Sequence, residues 1–246
     1  MDNLIMNLGL LINATLVATP PLLLAAIGSS FSERSGVINL GIEGMMTMGA
    51  FAGAAIGLVV GNGWVAFLFG GLAGALLAVI HAIVCIQFQA DQTIAGTAIN
   101  FIGPGLALFL SKAIFKSTDT PPLSAAQKLP KMFDGVFEAG SFWGNVLNVY
   151  TVAYLVFIFA FIAWFVFYKT KFGAHLRAVG EHPEACESLG IDVYKVRYTC
   201  VILSGFMSGL GGAFELALKL KLNKLTLLNE KHTVINRVFF IIIQIS

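Results

Sequence analysis

The chain has 246 residues, of which 57% are hydrophobic and 11% are charged, and its formal net charge at pH 7 is +2. An ordinary soluble domain carries about 25% charged residues, so this composition is typical of an integral membrane protein without a sizeable soluble domain. The small net charge gives no reason to expect a nucleic-acid partner. Several apolar segments reach the roughly 20 residues that a membrane-spanning helix needs, which favours an all-α polytopic bundle over a β-barrel.

The first predicted span runs from about Leu4 to Ile27 and contains Pro20 and Pro21. The N-terminus has no basic flank and no small-residue cleavage site, so we expect this segment to be retained rather than removed as a signal peptide. The two prolines predict a kink in the second half of the span. The kink is compatible either with a cavity beside it or with a simple bend.

A stretch with charges and glycines, from Phe31 to Met48, separates the first span from the second. A charge at membrane depth costs several kcal/mol unless it is paired or hydrated. We interpret Glu33 and Arg34 as a neighbouring ion pair at the membrane face. Glu43 lies just before the next apolar run, which makes it a candidate for lining a pathway or for a buried contact at a helix end.

The second span, Met45 to Val60, and the third, Trp64 to about Phe88, are joined by a short turn at residues 61–63. Glycines recur every fourth residue along both spans, and this spacing lets the backbone of another helix approach closely. The glycines predicted to form these packing surfaces are Gly49, Gly53, Gly57, Gly70 and Gly74.

The fourth segment begins at Asp91 and runs to about Leu110, with the helix breaker Gly103-Pro104-Gly105 inside it. This pattern predicts a discontinuous helix. Asp91 is suited to cap the helix, because a carboxylate satisfies open backbone donors and complements the positive end of the dipole. A polar stripe follows on one helical face and predicts contact with protein or water rather than with lipid; its members are Thr93, Thr97 and Asn100.

The second half of the chain has two further predicted spans, Val149 to Tyr168 and Tyr198 to about Leu218, with a soluble loop before the first of them, Ser111 to Val146. The loop between the two spans, residues 169–197, carries many basic residues, so the positive-inside rule places it in the cytoplasm. Inside this loop, His182 to Gly190 predicts a short helix. Such a helix is either a solvated connector or a surface for a soluble partner.

The histidines and cysteines do not predict chemistry. Cys85, Cys186 and Cys200 have an odd count and no metal-type spacing, so we expect free thiols and neither a metal nor a cofactor. The histidines are scattered along the chain and no Ser-His-Asp set is evident, which argues against an enzyme. The chain also lacks the G-x-x-x-x-G-K-[ST] motif that would bind ATP phosphates.

Three stretches resemble the permease subunits of ABC importers for nucleosides and simple sugars, most closely the nucleoside type; they are Ser32 to Phe51, Ala90 to Asn100 and Phe172 to Phe214. The resemblance implies a fold of the type II ABC importer kind and a multi-pass location in the cytoplasmic (inner) membrane. It also implies three kinds of partner besides membrane lipid, namely a second permease subunit, a cytoplasmic ATPase and an extracytoplasmic substrate-binding lipoprotein.

The resemblance also implies roles for residues. Those expected near the translocation pathway, or in helix breaks that support it, are Asn39, Glu43, Asp91, Gln92, Thr93 and Asn100. The short cytoplasmic helix resembles the EAA-x-x-x-G motif that couples a permease to its ATPase, with Cys186 in place of the second alanine. The residues assigned to coupling are Glu181, Glu184, Ala185, Cys186 and Gly190.

The resemblance covers residues 1 to about 214, and we interpret residues 1–217 as one permease domain of about six spans. Residues 218–246 lack the Gly and Ala faces of the earlier helices, so we interpret them as an atypical tail produced by truncation or a shifted reading frame. Counting spans back from the cytoplasmic loop places the N-terminus outside the cell, unless residues 31–44 form a re-entrant break, which would reverse that orientation.

Other functions stay open from the residues alone. The chain could be a permease for simple sugars rather than nucleosides. It could be a secondary transporter in which Glu43 and Asp91 carry protons, with uptake that depends on pH and needs no ATPase. A membrane-embedded enzyme and a non-functional fragment are the remaining alternatives.

Overall fold

The computed structural model describes residues 2–116, 146–147 and 149–228, and within them the chain is built from α-helices. The helices are α1 (Asp2–Arg34), α2 (Ile42–Val60), α3 (Gly63–Ala82), α4 (Gln92–Phe115), α5 (Thr151–Lys169), α6 (Lys171–Glu181), α7 (Pro183–Ser188) and α8 (Val193–Leu228). A π-helical turn, Ile83–Gln87, extends α3. Helices α1 to α5 are long and apolar enough to cross a membrane. This confirms the predicted class, an all-α polytopic bundle, while the sixth predicted span falls within α8.

Helix α8 is the centre of the bundle and packs against α1, α2 and α3. Its side chains Leu210 and Phe214 join Leu24 of α1 and Phe67 of α3 in one buried cluster. Glycines allow the backbones to approach, since a Cβ atom on Gly74 would lie only 2.7 Å from the Cα atom of Gly209. The packing surfaces predicted from the glycine spacing are therefore present at Gly49, Gly53, Gly70 and Gly74, each of which faces α8.

Neighbouring positions on the helices determine their directions. Helix α1 is antiparallel to α8, because Gly28 lies beside Ser204 and Pro21 lies beside Gly211. Helix α2 is parallel to α8, because Gly49 lies beside Gly209 and Gly53 lies beside Ala213. The chain thus reverses between α1 and α2. We call the end of the bundle where α1 and α5 finish, and where α6 and α7 lie, the loop end.

The stretch after α1 belongs to the loop end. The guanidinium of Arg34 donates a hydrogen bond to the Tyr168 hydroxyl at the end of α5, over 3.2 Å, and Arg197 donates to the Ser35 carbonyl, also over 3.2 Å. Residues 31–36 therefore reverse the chain beside the charged loop 169–197. The side of the membrane that the loop end faces, and with it the orientation of the N-terminus, stays a prediction.

Three sequence predictions are wrong in their local detail. Helix α4 is continuous through Gly103-Pro104-Gly105 and extends to Phe115, so Ser111 belongs to this helix and not to a loop. In an apolar environment an interrupted helix loses hydrogen bonds that no water replaces, which favours continuation past the proline. Glu33 and Arg34 do not form an ion pair, because successive residues on a helix do not face each other.

Helix α1 is continuous through Pro20 and Pro21, both of which are buried against the bundle. Two further predictions concern segments that lie partly outside the described residues. The predicted soluble loop lies outside the described residues from 117 to 145. The same holds for the tail from residue 229 onwards, while residues 218–228 continue α8.

Candidate functional site

The candidate site is built around a short non-helical segment between α1 and α2, residues 37–41, which we call the linker. Its side chains alternate, with Val37, Asn39 and Gly41 buried, and Ile38 and Leu40 49% and 46% exposed. Non-helical backbone at membrane depth is tolerated only where protein or water satisfies its polar groups. The hydrogen-bond partners of the linker backbone therefore determine whether its non-helical conformation is stable.

The linker lies well inside the bundle. Asn39 contacts Ser204, which is about 16 Å along α8 from the start of that helix at the usual rise per residue. Gly44, just after the linker, is packed against the backbone of Ile99 and Asn100, about 12 Å into α4. The second passage through the bundle thus consists of an extended linker followed by helix α2.

Two side-chain amides from α4 hold the linker from one side. The Gln92 Oε1 atom accepts a hydrogen bond from the Ile38 N–H over 2.7 Å, and its Nε2 atom donates to the Gly36 carbonyl over 3.5 Å. Two turns further along, Asn100 Oδ1 accepts from the Gly44 N–H over 2.9 Å, and its Nδ2 atom donates to the Leu40 carbonyl over 2.8 Å. Each of the two amides accepts a hydrogen bond from one backbone N–H group and donates one to a backbone carbonyl, in or next to the linker. These bonds fix the register of the linker against α4.

Asn39 holds the linker from the other side. It is 2% exposed, its Nδ2 atom donates to the Ser204 hydroxyl over 3.0 Å, and its Oδ1 atom accepts from the Gly41 N–H over 3.1 Å. Asn39 therefore ties the linker to α8 and at the same time supports the turn into α2. A buried amide with partners on both atoms is a structural contact rather than an open binding group.

His81 is a functional candidate that the sequence analysis missed. It is fully buried near the end of α3, and its Nε2 atom lies 3.4 Å from the Ile38 carbonyl oxygen. The histidines were interpreted as scattered because no second histidine lies near this one in sequence. The signal was its position, since it is the one ionisable side chain in an otherwise apolar helix of 20 residues.

The loop end completes the support of the linker. The Ser32 hydroxyl donates to the Val37 carbonyl over 2.6 Å, and the Val37 N–H donates to the Ser32 carbonyl over 3.3 Å. Gly36, the residue before the linker, has a φ angle of +84°, which is a left-handed conformation that glycine adopts without steric cost. Side chains from α1, α3, α4 and α8 thus contact the carbonyl oxygens of residues 35–38 and of residue 40, and side chains from α4 accept hydrogen bonds from the N–H groups of Ile38 and Gly44.

The linker and α4 are also in direct backbone contact. A Cβ atom on Gly96 would lie 2.7 Å from the Leu40 Cβ atom, and one on Gly103 would meet the Gly44 carbonyl. Pro104 has no N–H, so the Asn100 carbonyl lacks its usual helical donor at this level. The contact surface of α4 is therefore shaped by glycines and a proline rather than interrupted by them.

The other predicted pathway residues are placed differently. Glu43 is exposed in the first turn of α2, and Thr93 is exposed in the first turn of α4. Thr47 and Thr97, each four residues further along the same helix, are exposed as well. These four polar side chains, which we call the open face, lie on the two helices that flank the linker, and they are free of the close packing found on the α8 side.

Asp91 is a helix cap, as the sequence predicted. Its Oδ1 atom accepts hydrogen bonds from the Ile94 N–H over 3.0 Å and from the Thr93 N–H over 2.8 Å. The backbone hydrogen bond from Ile94, followed by the one from Thr93, lowers the pKa of this carboxyl below its usual value. The carboxylate is therefore ionised at neutral pH, and its contribution to stability is lost only as the pH falls through this lowered pKa.

The capping role of Asp91 leads to a prediction that also tests the proton-carrier alternative. Asp91→Asn is expected to retain uptake, because asparagine caps helices about as well as aspartate while it cannot carry a proton. Asp91→Ala is expected to lower the melting temperature, since the Thr93 and Ile94 N–H groups lose their acceptor. Uptake and thermal unfolding of both variants check this, and loss of uptake in Asp91→Asn would instead support a titrating role.

A second region of interest is α7 at the loop end. Pro183 occupies its first turn and Gly190 follows its end with a φ angle of +79°. The Ile191 N–H donates to the Cys186 carbonyl over 3.0 Å and the Gly190 N–H donates to the Glu187 carbonyl over 2.9 Å. This pair of bonds is the Schellman motif, which ends a helix with a left-handed glycine. The sequence prediction of a short helix closed by Gly190 is confirmed.

The residues assigned to coupling do not share one environment. Cys186 is 3% exposed and packs with Val179 and Val193, so its side chain anchors α7 to α6 and α8. Glu181, Glu184 and Ala185 are exposed and can contact another protein. The sequence analysis missed Leu189, whose side chain is 79% exposed beside this motif.

Comparison with known proteins identifies the family of this chain. A family model described as "Branched-chain amino acid transport system / permease component" matches residues 11–239. The chain belongs to this family of transport-system permeases. Both the linker and α7 lie within the matched residues. The family, together with the five helices of the described residues that are long and apolar enough to cross a membrane, shows a multi-pass membrane transport subunit that is not itself an enzyme.

Several curated relatives are named as ABC transporter permease proteins. The chain is 41% identical over 219 residues to the guanosine ABC transporter permease protein NupQ of Bacillus subtilis, with 85% of this chain and 68% of the relative covered. It is 35% identical to the nucleoside ABC transporter permease protein NupC of Lactococcus lactis, with 86% and 68% covered. It is also 35% identical to the putative glucose ABC transporter permease protein TsgC13 of Haloferax volcanii, with 82% and 61% covered. Comparison with solved structures finds no match.

Proposed function

We propose that this permease forms part of an ATP-driven importer for nucleosides in the cytoplasmic membrane. The observation that carries the proposal is its 41% identity to a guanosine permease over 85% of the chain. A cytoplasmic ATPase supplies the energy, an extracytoplasmic lipoprotein delivers the substrate, and a second permease subunit completes the pathway. The chain itself moves the substrate and forms no covalent bond with it.

Simple sugars are the second candidate substrate class, because a putative glucose permease is 35% identical over 82% of this chain. The open face does not separate the two classes. The Thr47 and Thr97 hydroxyls donate to carbonyls of their own helices, and their oxygens can still accept hydrogen bonds from the hydroxyls of either a ribose or a hexose.

The structure supports a route from α7 to the linker. Gly180 lies in the last turn of α6, and the Arg34 carbonyl lies so close to it that no side chain would fit at this position. Arg197 in the first turns of α8 donates to the Ser35 carbonyl. A partner that displaces α6 and α7 therefore acts directly on the turn before the linker, and differential contacts in two such positions would favour inward-open or outward-open states.

The transport proposal is tested by uptake in vesicles that contain the assembled importer. We expect ATP-dependent accumulation of labelled guanosine that unlabelled nucleosides inhibit and glucose does not. Accumulation of glucose that guanosine fails to inhibit would favour the sugar alternative. Uptake driven by a pH gradient without ATP would instead support the secondary-transporter alternative.

The coupling role of α7 leads to a prediction at Gly190. Gly190→Ala is expected to lower transport-coupled ATPase activity several-fold, because a Cβ atom at φ +79° costs about 1–2 kcal/mol and loosens the end of α7. Glu184→Ala is expected to lower coupling as well, through loss of an exposed charge. Affinity for the binding lipoprotein should stay unchanged, since that partner docks at the opposite side of the membrane.

Gly61→Ala is a matched control for this prediction. Gly61 has a φ angle of +72°, ends α2 and, like Gly190, has no atom within 4 Å of its Cβ position. The two variants therefore carry the same backbone strain at different places. The docking assignment fails if both variants lose coupling equally, or if Gly190→Ala and Glu184→Ala both keep full transport.

A further inference from the structure

A basic and aromatic patch lies at the loop end where α1 and α5 finish. Arg34 is the last residue of α1, and Tyr168 is the penultimate residue of α5. The Arg34 Nη2 atom donates to the Tyr168 hydroxyl, and the Arg34 Cζ atom lies 5.5 Å from the centroid of that ring and 4.8 Å from the centroid of Phe167. Residues that end two spanning helices mark the level of the lipid headgroups.

A second guanidinium joins the same ring. The Arg177 Cζ atom, on α6, lies 5.4 Å from the Tyr168 centroid. In the part of the chain that the structure describes, neither arginine lies within ion-pair distance of a carboxylate. Glu33, the neighbour of Arg34 in sequence, accepts a hydrogen bond from the Ser29 hydroxyl over 2.9 Å. Two cations beside one ring repel each other, and this repulsion favours an anion next to them.

Exposed aromatic rings continue from this patch along α5. The Phe161 and Trp164 ring centroids are 5.7 Å apart, and the Trp164 and Tyr168 centroids are 6.3 Å apart. The three side chains are 66%, 48% and 48% exposed, and their spacing of three and four residues places them on one side of the helix. The row extends about 10 Å along α5 from Tyr168 towards the hydrocarbon.

We propose that this surface binds one anionic phospholipid of the leaflet at the loop end. The phosphate accepts hydrogen bonds from Arg34 and Arg177, whose forked donors match phosphate oxygens. An acyl chain lies along Phe161 and Trp164. A zwitterionic lipid presents the same phosphate but adds its own ammonium group beside the two guanidiniums, so the charge of the patch selects an anionic headgroup. This inference does not depend on which substrate the permease carries.

The site is connected to the linker region. Arg34 is followed directly by the turn that leads into the linker, and its carbonyl lies against Gly180 of α6. A lipid held by Arg34 and Arg177 bridges α1 and α6 at this point. Its binding therefore stabilises the position of the turn that α6 contacts.

Fluorescence of Trp164 provides the test. The chain contains three tryptophans, Trp64, Trp143 and Trp164, so replacing the first two with phenylalanine leaves a single reporter. The full chain is reconstituted in phosphatidylcholine vesicles in which brominated acyl chains are carried either by phosphatidylglycerol or by phosphatidylcholine at equal mole fraction. We expect the anionic lipid to quench Trp164 with an apparent affinity roughly tenfold higher. The preference should fall at high ionic strength.

Variants identify the cations. Arg34→Gln with Arg177→Gln is expected to reduce the preference to near onefold, whereas the control Lys112→Gln with Lys195→Gln, which removes two exposed charges elsewhere, should retain it. Quenching by brominated phosphatidylcholine verifies in each variant that Trp164 still faces lipid. Equal quenching by the two lipids in the parent chain, or an unchanged preference in the arginine variant, overturns the proposal. A further outcome is that soluble glycerol phosphate abolishes the preference for the anionic lipid while chloride of equal ionic strength does not. That result would also overturn the proposal, because the patch would then bind soluble phosphate compounds.

Discussion

Gly209→Ala is expected to lower the free energy of unfolding by about 3 kcal/mol. A Cβ atom at this position would meet the Gly70 carbonyl oxygen and would lie 3.0 Å from both the Cα and the N atoms of Gly74. All three are backbone atoms of α3, so no side chain can rotate away and the two helices must separate. Because α8 is the centre of the bundle, this separation also disturbs its contacts with α1 and α2.

Gly105→Ala is the matched control for this experiment. Gly105 lies in α4 and has no atom within 4 Å of its Cβ position. The exchange is expected to be neutral or to stabilise the helix by up to about 1 kcal/mol, because alanine has the higher helix propensity. Unfolding by sodium dodecyl sulfate in mixed micelles measures both variants. A similar loss in the two would contradict the close packing of α3 on α8.

Asn100→Ala is expected to reduce uptake at least tenfold and to lower the free energy of unfolding by about 2–4 kcal/mol. The exchange removes the acceptor of the Gly44 N–H and the donor to the Leu40 carbonyl. Both groups lie at the junction of the linker and α2, where no other helix offers them a partner in the described part of the chain. The linker is then free to shift its register against α4.

Thr97→Val provides the control on the same helix, three residues before Asn100. The Thr97 hydroxyl donates to the Thr93 carbonyl within α4 and the side chain is exposed. Its replacement is expected to change the free energy of unfolding by no more than about 0.5 kcal/mol. A change in substrate preference without a loss of stability would identify Thr97 as part of the open face. Intact uptake and stability in Asn100→Ala would remove the support role assigned to Asn100.

These two experiments separate the two groups into which the predicted pathway residues fall. Asn39, Gln92 and Asn100 hold linker backbone, so their loss should affect stability and uptake together. Glu43 and Thr93 are exposed beside the linker, so their loss should affect uptake without a comparable effect on unfolding. The spacing of residues on α4 indicated a shared polar face, but it did not indicate that Gln92 and Asn100 point to backbone of another segment.

The tripeptide Gly103-Pro104-Gly105 does not interrupt α4, although its sequence predicts a helix break. In a soluble protein this tripeptide ends a helix because water satisfies the released backbone groups. Here Gly103 lies against the Gly44 carbonyl and the helix continues on both sides. Gly103 allows the backbones of α4 and α2 to approach each other, which depends on the neighbouring helix and cannot be inferred from the tripeptide.

The sequence by itself determined the membrane class, the approximate spans, the Asp91 cap and the short helix closed by Gly190. Each of these depends on hydrophobic runs or on residues within about one helical turn of each other. Only the tertiary structure decided where the linker lies, which side chains satisfy its backbone and why His81 is buried beside it. The contacts of the linker with α3, α4 and α8 join residues that are 43 to 165 positions apart in the chain, and a hydrogen bond over such a separation leaves no periodic signal in the sequence.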